Sequence, residues 1–116
     1  MLVYRMENRN GRGPYRSLSE PARWLRDEHG ISLYDDDLHP VPPDDGVPFP
    51  PWEGSFGFAS REALDRWFPK EARQLLREKG QHVTVYEVPE NMVEQGRNQL
   101  VFHRDSARKV KYGFAR

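Results

Sequence analysis

The stretch Phe56-Gly57-Phe58-Ala59-Ser60-Arg61-Glu62-Ala63-Leu64-Asp65-Arg66-Trp67-Phe68 decides how this chain is read. Its first four residues read as a short extended segment. Ser60 then stands where a helix N-cap belongs, with a hydroxyl able to accept from the open N–H groups of the first turn. Glu62 falls in that turn, where negative charge suits the helix dipole. Ala63, Leu64, Trp67 and Phe68 recur at helical spacing and give one apolar face. An aromatic strand thus passes into a helix through a serine. Backbone donors and a hydroxyl converge at such a junction, so Ser60 is either a ligand contact or a cap alone.

Upstream, residues 2–7 (Leu-Val-Tyr-Arg-Met-Glu) read as an opening strand. Alternation puts Leu2, Tyr4 and Met6 on one face and Val3, Arg5 and Glu7 on the other. Arg5, two residues from Glu7, is either half of an exposed ion pair or a functional cation. Residues 8–15 carry turn chemistry in Asn10-Gly11 and Gly13-Pro14. Gly11 and Gly13, with Arg9 and Arg12 nearby, are candidates to cradle a phosphate, although the spacing matches neither a dinucleotide fingerprint nor a P-loop. Ser19 is placed to cap a helix that holds Pro21 in its first turn and closes at Gly30.

From residue 35 to residue 54 the chain changes character. Asp35, Asp36, Asp37, Asp44 and Asp45 accompany six of the ten prolines. Prolines at that density leave no room for a helix or central strand, so the segment is read as a long loop, with Phe49 and Trp52 as its anchors. Downstream, Pro69 opens a helix over 69–79 that Gly80 stops. Residues 82–88 and 99–103 read as strands, and Val110, Tyr112 and Phe114 at period two suggest a last edge strand.

The 116 residues suit one domain with a modest core, and with hydrophobic residues at only 36% a few large rings must supply much of it. The expected core is Leu2, Tyr4, Trp24, Leu25, Phe58, Leu64, Trp67, Phe68, Leu76, Val83, Val85, Val101 and Phe102. Basic and acidic side chains balance at 18 each, which argues against a nucleic-acid or membrane binder held by bulk charge. No cysteine is present, so disulfides, thiolate metal sites and thiol nucleophiles are excluded, and a cytoplasmic location fits. No apolar run approaches the roughly 20 residues of a membrane helix. The four histidines lack metal-ligand spacing, so no metal is expected. His82 and His103 would make an acid–base pair only if their strands were neighbours.

One constellation remains: Arg5 on an early strand, an aromatic strand leading to Ser60 and a helix, and Gln99 opening a late strand. In that order the chain resembles the ADP-ribosyltransferase-like fold, particularly its small bacterial and phage members. The resemblance implies an α+β domain with one twisted, mainly antiparallel sheet of five or six strands and three short helices. It also implies NAD as bound substrate. Arg5 would hold the dinucleotide, Ser60 would brace the nicotinamide side, and Gln99 would contact the nicotinamide ribose or orient an acceptor. Tyr4 and Phe58 would stack on the nicotinamide ring, and Gly11 and Gly13 would line the cofactor site. The family's usual glutamate is replaced by Gln99, whose amide cannot serve as a general base. The partner implied is a protein or nucleic-acid target. A second reading, from a different class, is a non-enzymatic phage counter-defence protein of the anti-CRISPR type. Such a protein would block a host protein or protein–nucleic-acid complex with its acidic 35–45 loop or its basic 104–116 end.

Overall fold

The computed structural model describes residues 1–15, 20–34, 39–40, 45–46 and 54–113, with backbone alone for 111–113. The described residues form six strands and three helices: β1 (Leu2–Glu7), α1 (Pro21–His29), β2 (Gly54–Gly57), α2 (Arg61–Trp67), α3 (Lys70–Glu78), β3 (His82–Glu87), β4 (Val93–Gln95), β5 (Leu100–His103) and β6 (Arg108–Gly113). Single 3-10 turns at Glu90–Met92 and Arg104–Ser106 lead into β4 and β6.

The α+β expectation holds, but the single sheet does not. The strands form two three-stranded antiparallel sheets, ordered β1-β3-β6 and β2-β5-β4. They meet at one bridge, where Tyr4 and Phe58 exchange backbone hydrogen bonds of 2.8 Å each. The local chemistry explains why the ladder stops there. In a continuous antiparallel pair the next bonded partners would be Met6 and Phe56 on one side and Leu2 and Ser60 on the other. The Phe56 carbonyl is taken instead by Arg5 Nη1 at 2.7 Å. Ser60 has already turned into the cap of α2, accepting from Ala63 N at 3.1 Å.

The first sheet is buried on both faces. Met6 and Val83 pack with Leu25, Phe58, Leu64, Trp67, Phe68 and Leu76 beneath the helices. Val3 and Tyr86 pack with Val88, Leu100 and Phe102 against the second sheet. The expected alternation holds, but Leu2, expected in the core, is 45% exposed, whereas Val3 on the opposite face is fully buried. Tyr4 and Trp24 are partly buried, and the remaining expected core residues are buried.

The helix signals hold with small shifts. Pro21 starts α1 after Glu20, whose side chain makes no cap, and Gly30 closes it with φ 68°. The proposed Ser19 cap lies outside the described residues. Pro69 stands just before α3 rather than inside it. Trp67, from the central stretch, ties several segments together: Nε1 donates to Tyr15 Oη at 2.9 Å, and its carbonyl lies 2.6 Å from His39 Nε2. The expected loop anchors Phe49 and Trp52 lie outside the described residues, and His39 and Asp45 are buried in that region instead.

Candidate functional site

At the junction of the sheets Arg5 points away from the helices and is almost fully enclosed. Its Nε donates to Glu7 Oε1 at 2.9 Å, Nη1 to the Phe56 carbonyl and Nη2 to the Gly11 carbonyl at 3.1 Å. A second arginine, Arg104, arrives from the turn after β5. Its Nη2 donates to the same Glu7 Oε1 at 3.1 Å and to Tyr86 Oη at 2.8 Å. Its Nη1 reaches the Gly11 carbonyl at 3.2 Å and Ser55 Oγ at 3.4 Å. Tyr86 closes the circuit by donating to Glu7 Oε2 at 2.7 Å, and Lys109 Nζ lies 4.0 Å from that oxygen.

The chain supplies this arrangement from four separate places. Register places Glu7, Arg5 and Tyr86 on one face of the first sheet, since Val3 pairs with Tyr86 and Arg5 with Thr84. The Asn8–Gly13 turn folds over them. Asn8 Oδ1 accepts from the backbone of Asn10 and Arg12, and Gly11 takes φ 80°, a conformation that favours glycine. A Cβ on Gly11 would also run into Arg104 Nη2 and displace that guanidinium. The glycine turn expected to cradle a phosphate therefore cradles two guanidinium groups through one carbonyl. Gly13 lies beside Arg5 in ordinary contact, at 3.5 Å from a Cβ built there to Nη2.

Burial and pairing set the electrostatics. Glu7 is wholly buried, and its carboxylate is shared by two arginines. Burial lowers the pKa of Arg5, opposed by the attraction of Glu7 and reinforced by the repulsion of Arg104. Burial also raises the Tyr86 phenol, and its hydrogen bond to Glu7 raises it further. Arg104 lies over the Tyr86 ring, 5.1 Å from the centroid.

The other expected site residues lie close to this junction, though their polar groups are occupied. Phe58, just after β2, is bridged to Tyr4 of β1, and the β2–β5 ladder ends at Gly57 and Leu100, so Phe58 and Gln99 each lie one residue beyond its last pair. Ser60 Oγ is spent on Ala63. Gln99 is buried and donates Nε2 to the Pro40 carbonyl at 3.0 Å. Phe58 packs against Trp67 and Phe68, with centroids at 5.5 and 6.0 Å, rather than lying open for stacking. Tyr4 is half-buried against the same cluster.

Glu7, Tyr86, Arg104 and Asp45 were not singled out by sequence. The sequence left Arg5 as either half of an exposed ion pair or a functional cation; it is paired with Glu7, and the pair is buried, because β5 covers that face. Asp45, one of five aspartates in the loop, is wholly buried. Its carboxylate accepts from Asn98 N at 3.0 Å, Asn98 Nδ2 at 2.9 Å and Gln99 N at 2.9 Å, pinning the loop to the turn between β4 and β5. It is thus no acidic decoy, while Asp35, Asp36, Asp37 and Asp44 lie outside the described residues. His82 and His103 sit in strands of different sheets and do not pair as neighbours. Among the described residues no three His, Asp or Glu side chains group to hold a metal, and no helix is long and apolar enough to cross a membrane.

These features define an α+β domain of two small antiparallel sheets joined over a buried Arg–Glu–Tyr–Arg junction. The chain belongs to the Bacteriophage T4 Y00F protein family, whose profile matches residues 1–114. It is also 40% identical, over 52 residues, to an uncharacterized 19.7 kDa protein from the motB-dexA intergenic region of Enterobacteria phage T4. That match covers 45% of this chain and 31% of the relative, so the chain spans about a third of the relative's length. No solved structure matches it.

Proposed function

We propose that the chain is a phage NAD-binding domain of the ADP-ribosyltransferase-like kind, acting on a protein or nucleic-acid target of the host cytoplasm. One observation supports this reading: Tyr4, next to Arg5 on β1, is bridged to Phe58 just after β2, and β2 pairs with β5, which Gln99 precedes. In this proposal Arg5 holds the two sheets at the correct separation and supplies positive charge toward the pyrophosphate. Tyr4 contacts the nicotinamide ring, and Ser60 and Gln99 bind around its ribose. Gln99 orients without taking up a proton, so the reading extends to binding more readily than to transfer.

Calorimetry with NAD tests it on the wild type, on Gln99→Ala and on Ser60→Ala. Saturable heat in the wild type that weakens about tenfold in Gln99→Ala supports the site. No heat at millimolar NAD from folded protein overturns it.

A second reading, the non-enzymatic counter-defence protein of the anti-CRISPR type, is favoured by a different observation. Arg5, Ser60 and Gln99 already spend their polar groups within the chain. A blocker would keep its host-complex binding in Ser60→Ala and Gln99→Ala, and the enzyme reading would not keep its modification of a target.

A further inference from the structure

Arg9, Asn10 and Arg12 stand exposed on the turn that follows β1. Neither guanidinium, nor the side-chain amide of Asn10 between them in sequence, has a partner among the described residues. Several arginines elsewhere at the surface are matched: Arg23 with Glu20, Arg26 with Asp27, Arg61 with Asp65 and Arg108 with Glu87. The acid nearest to the turn in sequence, Glu7, is wholly buried and shared by Arg5 and Arg104. The turn thus carries two positive charges with no counter-charge of its own.

The backbone beneath those side chains is fixed. Gly11 N donates to the Asn8 carbonyl at 2.9 Å and Asn8 N to the Arg12 carbonyl at 2.8 Å, so Arg9 and Arg12 flank one tight bend. Asn8 Oδ1 takes the Asn10 and Arg12 amides at 2.9 Å each. The Gly11 carbonyl accepts from Arg5 and Arg104, and Gln81 Nε2 reaches the Arg12 carbonyl at 3.3 Å. A turn held in this way has little backbone freedom left to lose on binding. The same bonds decide what it can hold. A phosphate cradle needs open backbone N–H groups, and those of Asn10, Gly11 and Arg12 are all taken. Side chains alone are offered, on a convex turn, which suits a second surface rather than an enclosed small molecule.

We propose that the Asn8–Gly13 turn is a docking loop for a partner protein, with Arg9 and Arg12 paired to carboxylates of that partner and Asn10 hydrogen-bonded between them. Arginine forks bind carboxylates in bidentate fashion, and arginine is enriched where interfaces concentrate their binding energy. A nucleic-acid backbone fits less well. It is held chiefly by extended positive charge, whereas the formal net charge of this chain is zero. Asp105, exposed and next in sequence to Arg104, would also repel a phosphate strand running past the turn. The docking loop goes beyond the NAD reading and does not rest on it, since Arg9, Asn10 and Arg12 have no part in that site.

The test is titration of the full chain with a hexaglutamate peptide at low salt, followed by NMR shifts of backbone amides and arginine side chains. It is run on the wild type, on the double variant Arg9→Gln with Arg12→Gln, and on Arg66→Gln. Arg66 is exposed on α2, so its replacement removes a charge outside the turn. The expected result is saturable binding with shifts concentrated in residues 8–13. It should weaken with added salt, fall about tenfold in the double variant and stay unchanged in Arg66→Gln. Arg9 and Arg12 are exposed, so the double variant keeps the fold, which its unfolding midpoint checks. No saturable binding by the wild type, or equal weakening in Arg66→Gln, overturns the docking loop. A parallel titration with single-stranded oligothymidine decides the class of partner: binding tighter than that of the peptide, through the same arginines, overturns the protein partner in favour of nucleic acid. If the peptide binds through Arg9 and Arg12 while NAD gives no heat, the docking loop stands and the NAD reading falls.

Discussion

The hydroxyl of Tyr86 donates to Glu7 Oε2 at 2.7 Å within the first sheet, while Glu7 Oε1 receives an arginine from that sheet and another from the turn beyond the second. Among the described residues, Glu7 is therefore the one carboxylate on which both halves of the protein converge. Its removal leaves two enclosed guanidinium groups without a counter-charge. Breaking a buried pair by deleting one partner costs about 3–5 kcal/mol. Glu7→Gln is expected to lower stability by about that much. Glu87→Gln removes a 2.6 Å pair with Arg108 whose members are 53% and 72% exposed, and should cost less than about 1 kcal/mol. Urea denaturation of the two variants gives the comparison. Similar small losses in both would mean that the junction contributes little.

Tyrosine ionisation sets an alkaline limit on the fold. Burial and Glu7 raise the Tyr86 phenol above its ordinary value of 10.0. Burial and Glu20, which accepts from the Tyr34 hydroxyl at 3.0 Å, push Tyr34 up to about 12. Between the ordinary and raised values the folded chain keeps protons that the unfolded chain has released. These contributions are complete below about pH 10 and decline as pH rises through the folded values. Denaturation midpoints should therefore hold steady from about pH 8 to about pH 10 and drop above it. Tyr86→Phe should show a shallower alkaline drop, at the cost of the hydrogen bond to Glu7. An identical slope in the variant would assign the alkaline loss to other groups.

Asp45 makes a prediction for the long loop. Its carboxylate accepts from two consecutive backbone amides, Asn98 and Gln99, and its own carbonyl accepts from Arg97 N at 3.0 Å. Asp45→Ala leaves those amides and the Asn98 side chain without their acceptor, which should cost about 2–3 kcal/mol. Hydrogen exchange checks where the loss falls. The Asn98 and Gln99 amides should exchange faster, while those of β3, paired on both sides, should change only with global stability. Uniform acceleration throughout the chain would show that Asp45 supports the whole fold rather than the loop attachment.

Local signals carried most of the elements and little of their assembly. The serine cap, the apolar face of α2, the β-branched run of β3 and the glycine stops of α1 and α3 depend on neighbours in sequence, and each element formed within a residue or two of its expected bounds. The division into two sheets depends on one long-range event, the capture of the Phe56 carbonyl by Arg5, which no periodicity encodes. The exposure of Leu2 and burial of Val3 follow from cover on the second face of β1, again set by strands distant in sequence. Asp45 looked like part of a solvated acidic run because its amide partners lie 53 and 54 residues away. The enclosure of Arg5 by Glu7 and the Gly11 carbonyl was not legible from Arg5, Ser60 and Gln99 alone, because its partners come from a turn and a strand face that those residues do not specify.

Gly57 of β2 lies against Val3 and the Tyr4 carbonyl of β1, so it tests whether the junction is set by shape. A Cβ there would meet Val3 Cγ1 at 2.5 Å and the Tyr4 carbonyl oxygen at 3.1 Å. The first contact is a side chain that a second substitution can remove, and the other is backbone of the bridging residue. Gly57→Ala alone should destabilise by about 1–3 kcal/mol through overpacking. Val3→Ala alone should cost about 2 kcal/mol, because Val3 is fully buried. In the double variant the new methyl occupies space vacated by valine, so the combined loss should fall short of the sum by about 1 kcal/mol or more. A residual cost should persist and concentrate at the Tyr4 and Phe58 amides, since the Tyr4 carbonyl still faces the new Cβ. Strict additivity in the double-mutant cycle would show that the sheets separate to admit the alanine, and that Arg5 and Glu7, not the close approach of Gly57 to Val3, determine their spacing.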